Sequence, residues 1–253
     1  MASSAFPKEI ALCLGGGAAR GAFHLGVVDV LEEHGVAIKA ISGSSIGAVI
    51  GAALACEMSA KEILEIFKSR EFKKAIKFNL WHGTLFRIEM EAPIIQKLVY
   101  AKSFEELKIP LSVSMLNAKT LQMHYENSGE LRSKLLASSA LTPLFNPIEI
   151  NGELYVDGGF VDNLPIEQLS GCGYPVLAIN LYPNSQRIPR TFWRWLKRNL
   201  FMVWHTRALY KEAACEYYLT NPELGRLKTF SFADIDRAFA LGQESMREFL
   251  KAH

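Results

Sequence analysis

The strongest constraint on the fold is the alternation of short apolar runs and helix-patterned segments near the start of the chain. The apolar run at 9–14 ends in glycines, which predicts a buried strand followed by a turn. Apolar residues recur at helical spacing over 20–34, and Gly35 follows as a stop signal. A second apolar run at 36–42 precedes a segment at 46–56 that is apolar on every side, as a fully buried helix would be. The order strand, helix, strand, helix predicts parallel strands with helices on both faces of a sheet.

The rest of the chain carries further strand and helix patterns without a break in composition. No linker, low-complexity block or internal repeat divides the 253 residues, so we predict a single domain over 1–253 whose part after Pro183 is mainly helical. Later strands are predicted at 110–116, 121–127, 154–157 and 174–182, and later helices at 60–70, 91–100, 130–140 and 191–219.

Composition argues against several classes of protein. The 28 basic and 26 acidic side chains give a formal net charge of +2, and no nucleic-acid-binding motif occurs, so we expect no nucleic-acid partner. No window reaches the roughly 18 uninterrupted apolar residues of a transmembrane helix. The four cysteines form no C-x-x-C pair, and the start shows neither a signal-peptide pattern nor a glycine at position 2. These features predict a reduced, cytoplasmic protein.

A glycine-rich loop, GGGAARG, occupies 15–21 between the first strand and the first helix. Backbone N–H groups in such a loop converge at the positive end of a helix and bind an anion. A dinucleotide site is disfavoured because Arg20 stands at the sixth position of G-x-G-x-x-G and no acidic residue occurs between Glu33 and Glu57. No P-loop pattern exists either. On its own, the loop favours a tight turn without a ligand.

The segment Gly43-Ser44-Ser45-Ile46-Gly47 fits G-x-S-x-G, the nucleophile elbow. Small flanking residues let a strand and a helix approach across a sharp turn, and only Ser45 has a glycine two positions before and two after it. The predicted strand-to-helix junction is the context that this motif requires. The alternative is that Ser45 only caps the helix that follows.

A serine nucleophile needs a base, and the histidines are poor candidates for it. In an α/β-hydrolase triad the histidine follows the aspartate in the chain, and only His205 and His253 follow Asp157, the best candidate aspartate after Ser45. His253 is the last residue, and His205 lies in a basic, aromatic helical stretch without a turn signal. A histidine-dependent triad is therefore disfavoured.

Asp157 is a better candidate for the base. It ends an apolar run and is followed by Gly158 and Gly159, which hold a carboxylate at a strand end where sites of α/β proteins form. The alternative is an ordinary Asp-Gly hairpin turn. Asp162 is a second candidate, but its surroundings indicate the cap of a helix that starts near Pro165.

Taken together, these motifs resemble the patatin-like phospholipase family. The family pattern is a glycine-rich loop ending in [RK]-G, then G-x-S-x-G, then D-G-[GA], and the chain has GGGAARG, GSSIG and DGG in that order. The stretches ASSALTPLFNP at 137–147 and DGGFVDNLPI at 157–166 are also similar to family segments, although Thr142 stands where the family has proline and Pro143 follows one residue later. The resemblance covers roughly 10–181.

The resemblance implies a three-layer α/β/α sandwich with a mostly parallel sheet and a lipid ester as substrate. It implies a dyad of Ser45 as nucleophile and Asp157 as general base, without histidine, metal or other cofactor. The backbone of Gly15, Gly16 and Gly17 matches the oxyanion loop of the family, and Arg20 matches its basic residue. The expected function is phospholipid or lysophospholipid hydrolysis through an acyl-enzyme. A thioesterase or triacylglycerol lipase with the same dyad, and a catalytically silent lipid-binding module, are the alternatives, and a nucleotide-binding enzyme ranks last.

Two stretches combine basic and aromatic residues, at 190–211 and 68–86. In the first, basic residues share one helical face and Trp193 and Leu196 share another, as in a helix that lies on an anionic bilayer. The second is less regular and could form a lid. A helix that covers a sheet has the same two faces, so membrane contact and core covering stay open.

Overall fold

The computed structural model describes residues 6–78, 86–89, 92–183, 188–193, 195–196, 198–199 and 210–253. The helices are α1 (Ala22–Glu33), α2 (Ile46–Ala55), α3 (Ala60–Lys68), α4 (Arg70–Ala75), α5 (Pro93–Leu98), α6 (Arg132–Ser138) and α7 (Ile235–Ala252). The strands are β1 (Glu9–Leu14), β2 (Ala37–Ser44), β3 (Ile76–Phe78), β4 (Phe86–Ile88), β5 (Leu111–Asn117), β6 (Met123–Glu126), β7 (Ile148–Ile150), β8 (Glu153–Asp157), β9 (Val176–Ile179) and β10 (Tyr217–Leu219).

One mixed sheet organises the molecule, in the order β10-β9-β1-β2-β5-β8-β7, with β6 also paired to β5. The pairings from β10 through β9, β1 and β2 to β5 are parallel. Those of β5 with β6 and β8, and of β8 with β7, are antiparallel. The predicted parallel arrangement of the first two strands is confirmed, because the crossover through α1 returns the chain in the same direction.

The two faces of the sheet bury different cores. Along β1, Ile10, Leu12 and Leu14 enter the large core that the helices cover, whereas Ala11 and Cys13 face a smaller core on the other side. Among the described residues, that second face is covered by a short 3₁₀ helix at Ile166–Leu169. The expected α/β sandwich is thus observed, with one thick helical layer and one thin one.

The helical layer is held together by burial and by polar ties. Eight of the ten residues of α2 are buried, as its apolar sequence predicts. In α1, the buried Asp29 accepts a hydrogen bond from Gln243 of α7 at 2.7 Å and pairs with Lys61 of α3 at 3.1 Å. Arg247 of α7 also pairs with Glu33 at 3.1 Å. The C-terminal helix is therefore part of the packed body of the fold.

Most predicted elements are found, with some corrections. The helix expected over 191–219 is wrong at its end, because Tyr217–Leu219 forms β10 against β9, as suits a run of aromatic residues. The hairpin of β3 and β4, the short helix α4 and the edge strand β7 were not predicted. No helix within the described ranges is both long enough and apolar enough to cross a membrane.

Candidate active site

Ser45 lies at the sharp turn between β2 and α2. Its backbone has φ 54° and ψ −126°, a region that a residue with a side chain rarely adopts. The turn is possible because Gly47 lets α2 approach β1: a Cβ on Gly47 would lie 2.1 Å from the carbonyl oxygen of Leu14. The Ser45 N–H donates to Oγ of Ser138 at 2.9 Å. The Ser45 side chain makes no capping hydrogen bond to α2, so the alternative role as a helix cap is not observed.

The side chain of Ser45 instead lies close enough to the carboxylate of Asp157 to lower the pKa of that group as a hydrogen-bond donor. Asp157 ends β8, is only 3% exposed, and accepts a hydrogen bond from the N–H of Gly159 through Oδ1 at 2.8 Å. Gly158 and Gly159 open a 3₁₀ turn, and β8 has no hairpin partner after it, so the alternative of an Asp-Gly hairpin is not observed. The sheet thus brings together the two side chains that the sequence singled out.

Burial raises the pKa of Asp157 to about 7, against the lowering effect of the hydrogen bonds from Ser45 and Gly159. Loss of water around a carboxylate disfavours its charged form, and the two donors recover only part of that loss. A carboxyl group with a pKa near neutrality is matched to proton transfer at neutral pH, unlike a solvated aspartate.

The glycine loop is fixed by several neighbours. The Gly15 N–H donates to the carbonyl oxygen of Ile179 at 3.1 Å, and the Gly16 N–H donates to Oδ1 of Asn163 at 3.1 Å. Within the described part of the chain, the N–H of Gly17 has no acceptor, and Gly17 lines the cavity in front of Ser45. Of the three glycine amides that the sequence proposes as oxyanion donors, Gly17 is therefore the one left available in this conformation.

His24 contacts the backbone of this loop and was not identified from the sequence. It is fully buried in α1, and its Nε2 lies 2.7 Å from the carbonyl oxygen of Gly15. Burial lowers the pKa of His24 to about 4, so the ring is neutral near pH 7 and its Nε2–H donates to Gly15. Its position one turn into the helix after the glycine loop is the signal that could have found it.

Arg20 is directed away from the cavity. Its guanidinium donates to the carbonyl oxygen of Leu227 at 2.7 and 3.2 Å and to that of Leu181 at 3.3 Å, and it lies over the ring of Tyr182 at 5.5 Å. Burial lowers the pKa of Arg20 from its ordinary value. The side chain thus ties the glycine loop to two later segments and does not line the wall near Ser45.

A cavity of about 700 Å³ opens in front of Ser45 and Asp157, within the range of small-molecule sites. Its described walls are mostly apolar, and Lys73 and Asp157 are their only charged residues. The segment 137–147, singled out in the sequence, contributes Ser139, Leu141, Leu144 and Phe145. Further apolar walls come from Phe67, Phe72, Ile76, Ile95, Leu98, Val99, Leu135, Leu136, Phe230, Phe232 and Ile235.

The other candidate bases are placed elsewhere or lie outside the described residues. Asp162 accepts from the hydroxyl of Tyr125 at 2.7 Å and pairs with Lys211 at 2.6 Å, away from the cavity walls. The 3₁₀ helix after it begins past Pro165, without a cap from Asp162. His253 stacks on Phe249 at the end of α7, and His205 lies outside the described residues. None of the described cavity residues is a histidine.

The family model for patatin-like phospholipase matches residues 12–170. Lysophospholipase NTE1 of Mycosarcoma maydis is 29% identical over 197 residues, which cover 73% of this chain and 10% of that protein. An uncharacterized NTE family protein of Mycobacterium bovis is 30% identical over 220 residues, which cover 83% of this chain and 60% of that protein. The chain spans only part of the length of these relatives.

Among solved structures, VipD from Legionella pneumophila is similar, with a TM-score of 0.56 and 15% sequence identity. The match covers 98% of this chain and 68% of VipD. At this identity the likeness concerns the fold alone, and it extends over the described C-terminal part as well as the matched family range.

Proposed function

The chain belongs to the patatin-like phospholipase family of lipid acyl hydrolases, and we propose that it cleaves phospholipid or lysophospholipid esters through an acyl-enzyme on Ser45. The observation that carries the proposal is the proximity of Ser45 to the buried carboxylate of Asp157 at the wall of an apolar cavity. A nucleophile held against a base, next to a free backbone donor, is the arrangement that acyl transfer requires.

In the first half-reaction, Ser45 Oγ attacks the ester carbonyl carbon while Asp157 accepts the hydroxyl proton. The carbonyl oxygen becomes negatively charged and is stabilised by the N–H of Gly17. As the tetrahedral intermediate collapses, the bond to the leaving alcohol breaks, and Asp157 returns its proton to that oxygen. The fatty acyl group stays on Ser45 as an ester.

The second half-reaction repeats these roles with water. Asp157, again ionised, takes a proton from a water molecule that attacks the acyl carbon. Collapse of the second intermediate releases the fatty acid, and the proton on Asp157 returns to Ser45. The pKa of about 7 lets Asp157 alternate between base and acid at neutral pH with little cost in either direction.

The cavity and the relatives support a lipid as substrate. The mostly apolar walls fit a fatty acyl chain, and the fungal relatives are named lysophospholipases. Lys73 is the one cationic residue among the described walls, and its Nζ lies 6.0 Å from the ring centre of Phe232. We place a lipid phosphate on this side of the cavity, because an ammonium group there is the available counter-charge.

We also propose that the protein contacts a membrane surface through the described part of 190–211. Phe192 and Trp193 are 73% and 75% exposed, and Trp195 and Ile188 are exposed beside them. Aromatic side chains of this kind insert at the boundary between head groups and acyl chains. The second stretch, 68–86, for which the sequence suggested a lid, is packed at its start. Phe67 of α3 and Phe72 of α4 are buried in the core at the cavity wall. Residues 79–85 lie outside the described residues.

The nucleophile is tested by labelling with a lipid-like fluorophosphonate and by measuring fatty acid release from a lysophospholipid. Ser45→Ala is expected to abolish both signals, and Asp157→Asn is expected to reduce both strongly. Ser139→Ala is the matched control, because Ser139 lines the same cavity and its Oγ has no hydrogen-bond partner in the described structure. Labelling that survives Ser45→Ala, or is lost only in Ser139→Ala, contradicts the proposal.

A further inference from the structure

Asn163 pairs with the backbone of Gly16 as a neighbouring strand would. Its Oδ1 accepts from the Gly16 N–H at 3.1 Å, and its Nδ2 donates to the Gly16 carbonyl oxygen at 3.3 Å. Asn163 follows Asp157 by one short turn, so the loop that carries the base also holds the glycine loop. The Gly16 N–H also donates to the backbone carbonyl oxygen of Asn163 at 3.4 Å, so the bond to the Gly16 carbonyl is the one that depends on the side chain alone. Asn163 also lines the cavity.

The amide of Asn163 fits a space that two glycines leave open. A Cβ on Gly16 would lie 2.5 Å from Asn163 Oδ1, and a Cβ on Gly159 would lie 2.8 Å from the same atom. Gly159 is also the residue whose N–H holds Asp157. The side chain is therefore enclosed between the oxyanion loop and the turn of the base, and its orientation is set by both.

The geometry of the peptide bond carries this contact to the free donor. The Gly16 carbonyl and the Gly17 N–H belong to one planar trans peptide unit, in which the two bonds point in opposite directions. When Asn163 Nδ2 holds the Gly16 carbonyl, it fixes the plane of this unit. The Gly17 N–H then points away from Asn163, and Gly17 lies at the cavity wall.

His24 fixes the preceding peptide unit, between Gly15 and Gly16, in a similar way. Its Nε2–H donates to the Gly15 carbonyl, and the N–H of that peptide unit is the Gly16 N–H that Asn163 accepts. Donors and acceptors thus alternate through two successive peptide units. Hydrogen bonds in such a chain polarise one another, so each link makes the last N–H a better donor.

We propose that Asn163 is a positioning residue for catalysis, which orients and polarises the Gly17 N–H as the oxyanion donor. This inference rests on the proposed function, because it concerns the transition state of the same acyl transfer. It assigns the Gly16 N–H to Asn163 and leaves the substrate oxyanion to Gly17.

The test compares Asn163→Ala and the isosteric Asn163→Asp with Asn221→Asp. Asn221 is a half-buried asparagine at the start of another 3₁₀ helix, and its side chain contacts Glu223 and Ser245. For both Asn163 variants we expect kcat for lysophospholipid hydrolysis to fall by about 10- to 100-fold, since a misdirected oxyanion donor approaches the cost of losing one. Asn163 lines the cavity, but the apolar side chains that face an acyl chain are unchanged in these variants, so KM should change by less than about twofold. Asn221→Asp should match wild type.

A second readout separates positioning from a merely structural role. A long-chain trifluoromethyl ketone forms a tetrahedral adduct with the nucleophile, whereas a fatty alcohol of equal length only fills the cavity. Asn163→Ala should weaken binding of the ketone in proportion to its loss in kcat/KM and leave binding of the alcohol unchanged.

The outcomes distinguish this inference from the proposed function. Wild-type kcat in folded Asn163→Ala and Asn163→Asp, or equal losses for the ketone and the alcohol, overturns the role of Asn163 while Ser45→Ala stays inactive. A loss of activity that circular dichroism assigns wholly to unfolded protein in both variants overturns it as well. Activity that persists in Ser45→Ala instead removes the proposed function itself.

Discussion

The hydroxyl of Ser45 and the carboxylate of Asp157 meet across β5, which separates the strands that carry them. Ser45 follows β2, Asp157 ends β8, and both strands pair directly with β5. The pairing of β2 is parallel and that of β8 is antiparallel, so a parallel and an antiparallel part of one sheet deliver the two groups to one place.

The pH dependence of catalysis should follow Asp157. Its pKa is raised to about 7, and only the ionised carboxylate accepts the Ser45 proton. We expect kcat/KM to be level above this value and to fall about tenfold per pH unit below it. A pH–rate profile on a micellar lysophospholipid checks this. A profile that stays level down to pH 5 would contradict the assignment of Asp157 as the base.

Folding stability should also depend on pH through Asp157, but ionisation of this group, which catalysis requires, should lower stability. The pKa of Asp157 is about 7 in the folded protein, whereas the unfolded chain loses this proton near the ordinary aspartate pKa of 3.8. Between these values the folded state binds more protons, so stability falls as pH rises. Asp157→Asn removes the charge and should raise the free energy of unfolding at pH 8, by on the order of a few kcal/mol.

Urea unfolding of wild type and Asp157→Asn at pH 8 and at pH 4.5 measures this difference. The gain of the variant should be clear at pH 8 and much smaller at pH 4.5, where wild type is largely protonated at this position. A variant that is less stable than wild type at pH 8 would show that ionised Asp157 stabilises the fold.

Replacing His24 should affect both stability and catalysis. His24→Phe leaves the buried carbonyl of Gly15 without its donor, which should cost about 1–3 kcal/mol of unfolding free energy. In the variant that remains folded, kcat should fall because the Gly15 peptide unit is no longer fixed. His34→Phe, at an exposed helix end, is the matched control and should stay near wild type. Equal effects of the two substitutions would argue against a role for His24 in the loop.

Adding one methyl group at Gly47 should open the elbow. The new Cβ would lie 2.1 Å from the backbone oxygen of Leu14, so α2 must move away from β1. We expect Gly47→Ala to lose about 1–3 kcal/mol of stability or more, and to lose fluorophosphonate labelling of Ser45. Gly225→Ala meets only one side-chain atom at 3.8 Å and should keep both. Normal labelling of Gly47→Ala would mean that the close approach is not needed.

Membrane contact is tested with Phe192→Ala combined with Trp193→Ala. Removing these exposed rings should weaken co-sedimentation with anionic vesicles and slow hydrolysis of vesicle substrates, while hydrolysis of a water-soluble short ester stays unchanged. Leu154→Ala, on an exposed position of β8, is the control and should not affect vesicle binding. Unchanged vesicle binding by the double variant would exclude this surface.

The parts that sequence reasoning predicted are those that depend on local pattern. Hydrophobic periodicity and glycine stop signals predict β1, α1, β2 and α2. The two glycines around Ser45 predict the sharp turn between β2 and α2. The Asp-Gly-Gly signal predicted that Asp157 lies at a strand end, as the structure has it, and left a hairpin turn open as the alternative. In each case the information lies within a few consecutive residues.

The parts that it missed depend on distant backbone contacts. Asn163 and His24 bind backbone atoms of Gly16 and Gly15. Every residue type supplies such backbone groups, so the sequence does not show which residue is the partner. The direction of the Arg20 side chain was likewise open, because the acceptors are two backbone carbonyls far along the chain. The surrounding helical pattern predicts a helix at β10. The prediction is wrong there because pairing with β9 outweighs that pattern.

The contact of Arg20 with Leu227 also bears on how much polypeptide a working site requires. The family match ends at residue 170, but the loop in front of Ser45 is tied to a carbonyl at 227 and its helix is packed against α7. A fragment cut at the limit of the match would leave a buried guanidinium without its acceptors. The boundary of family similarity and the boundary of the packed fold around Ser45 are therefore different.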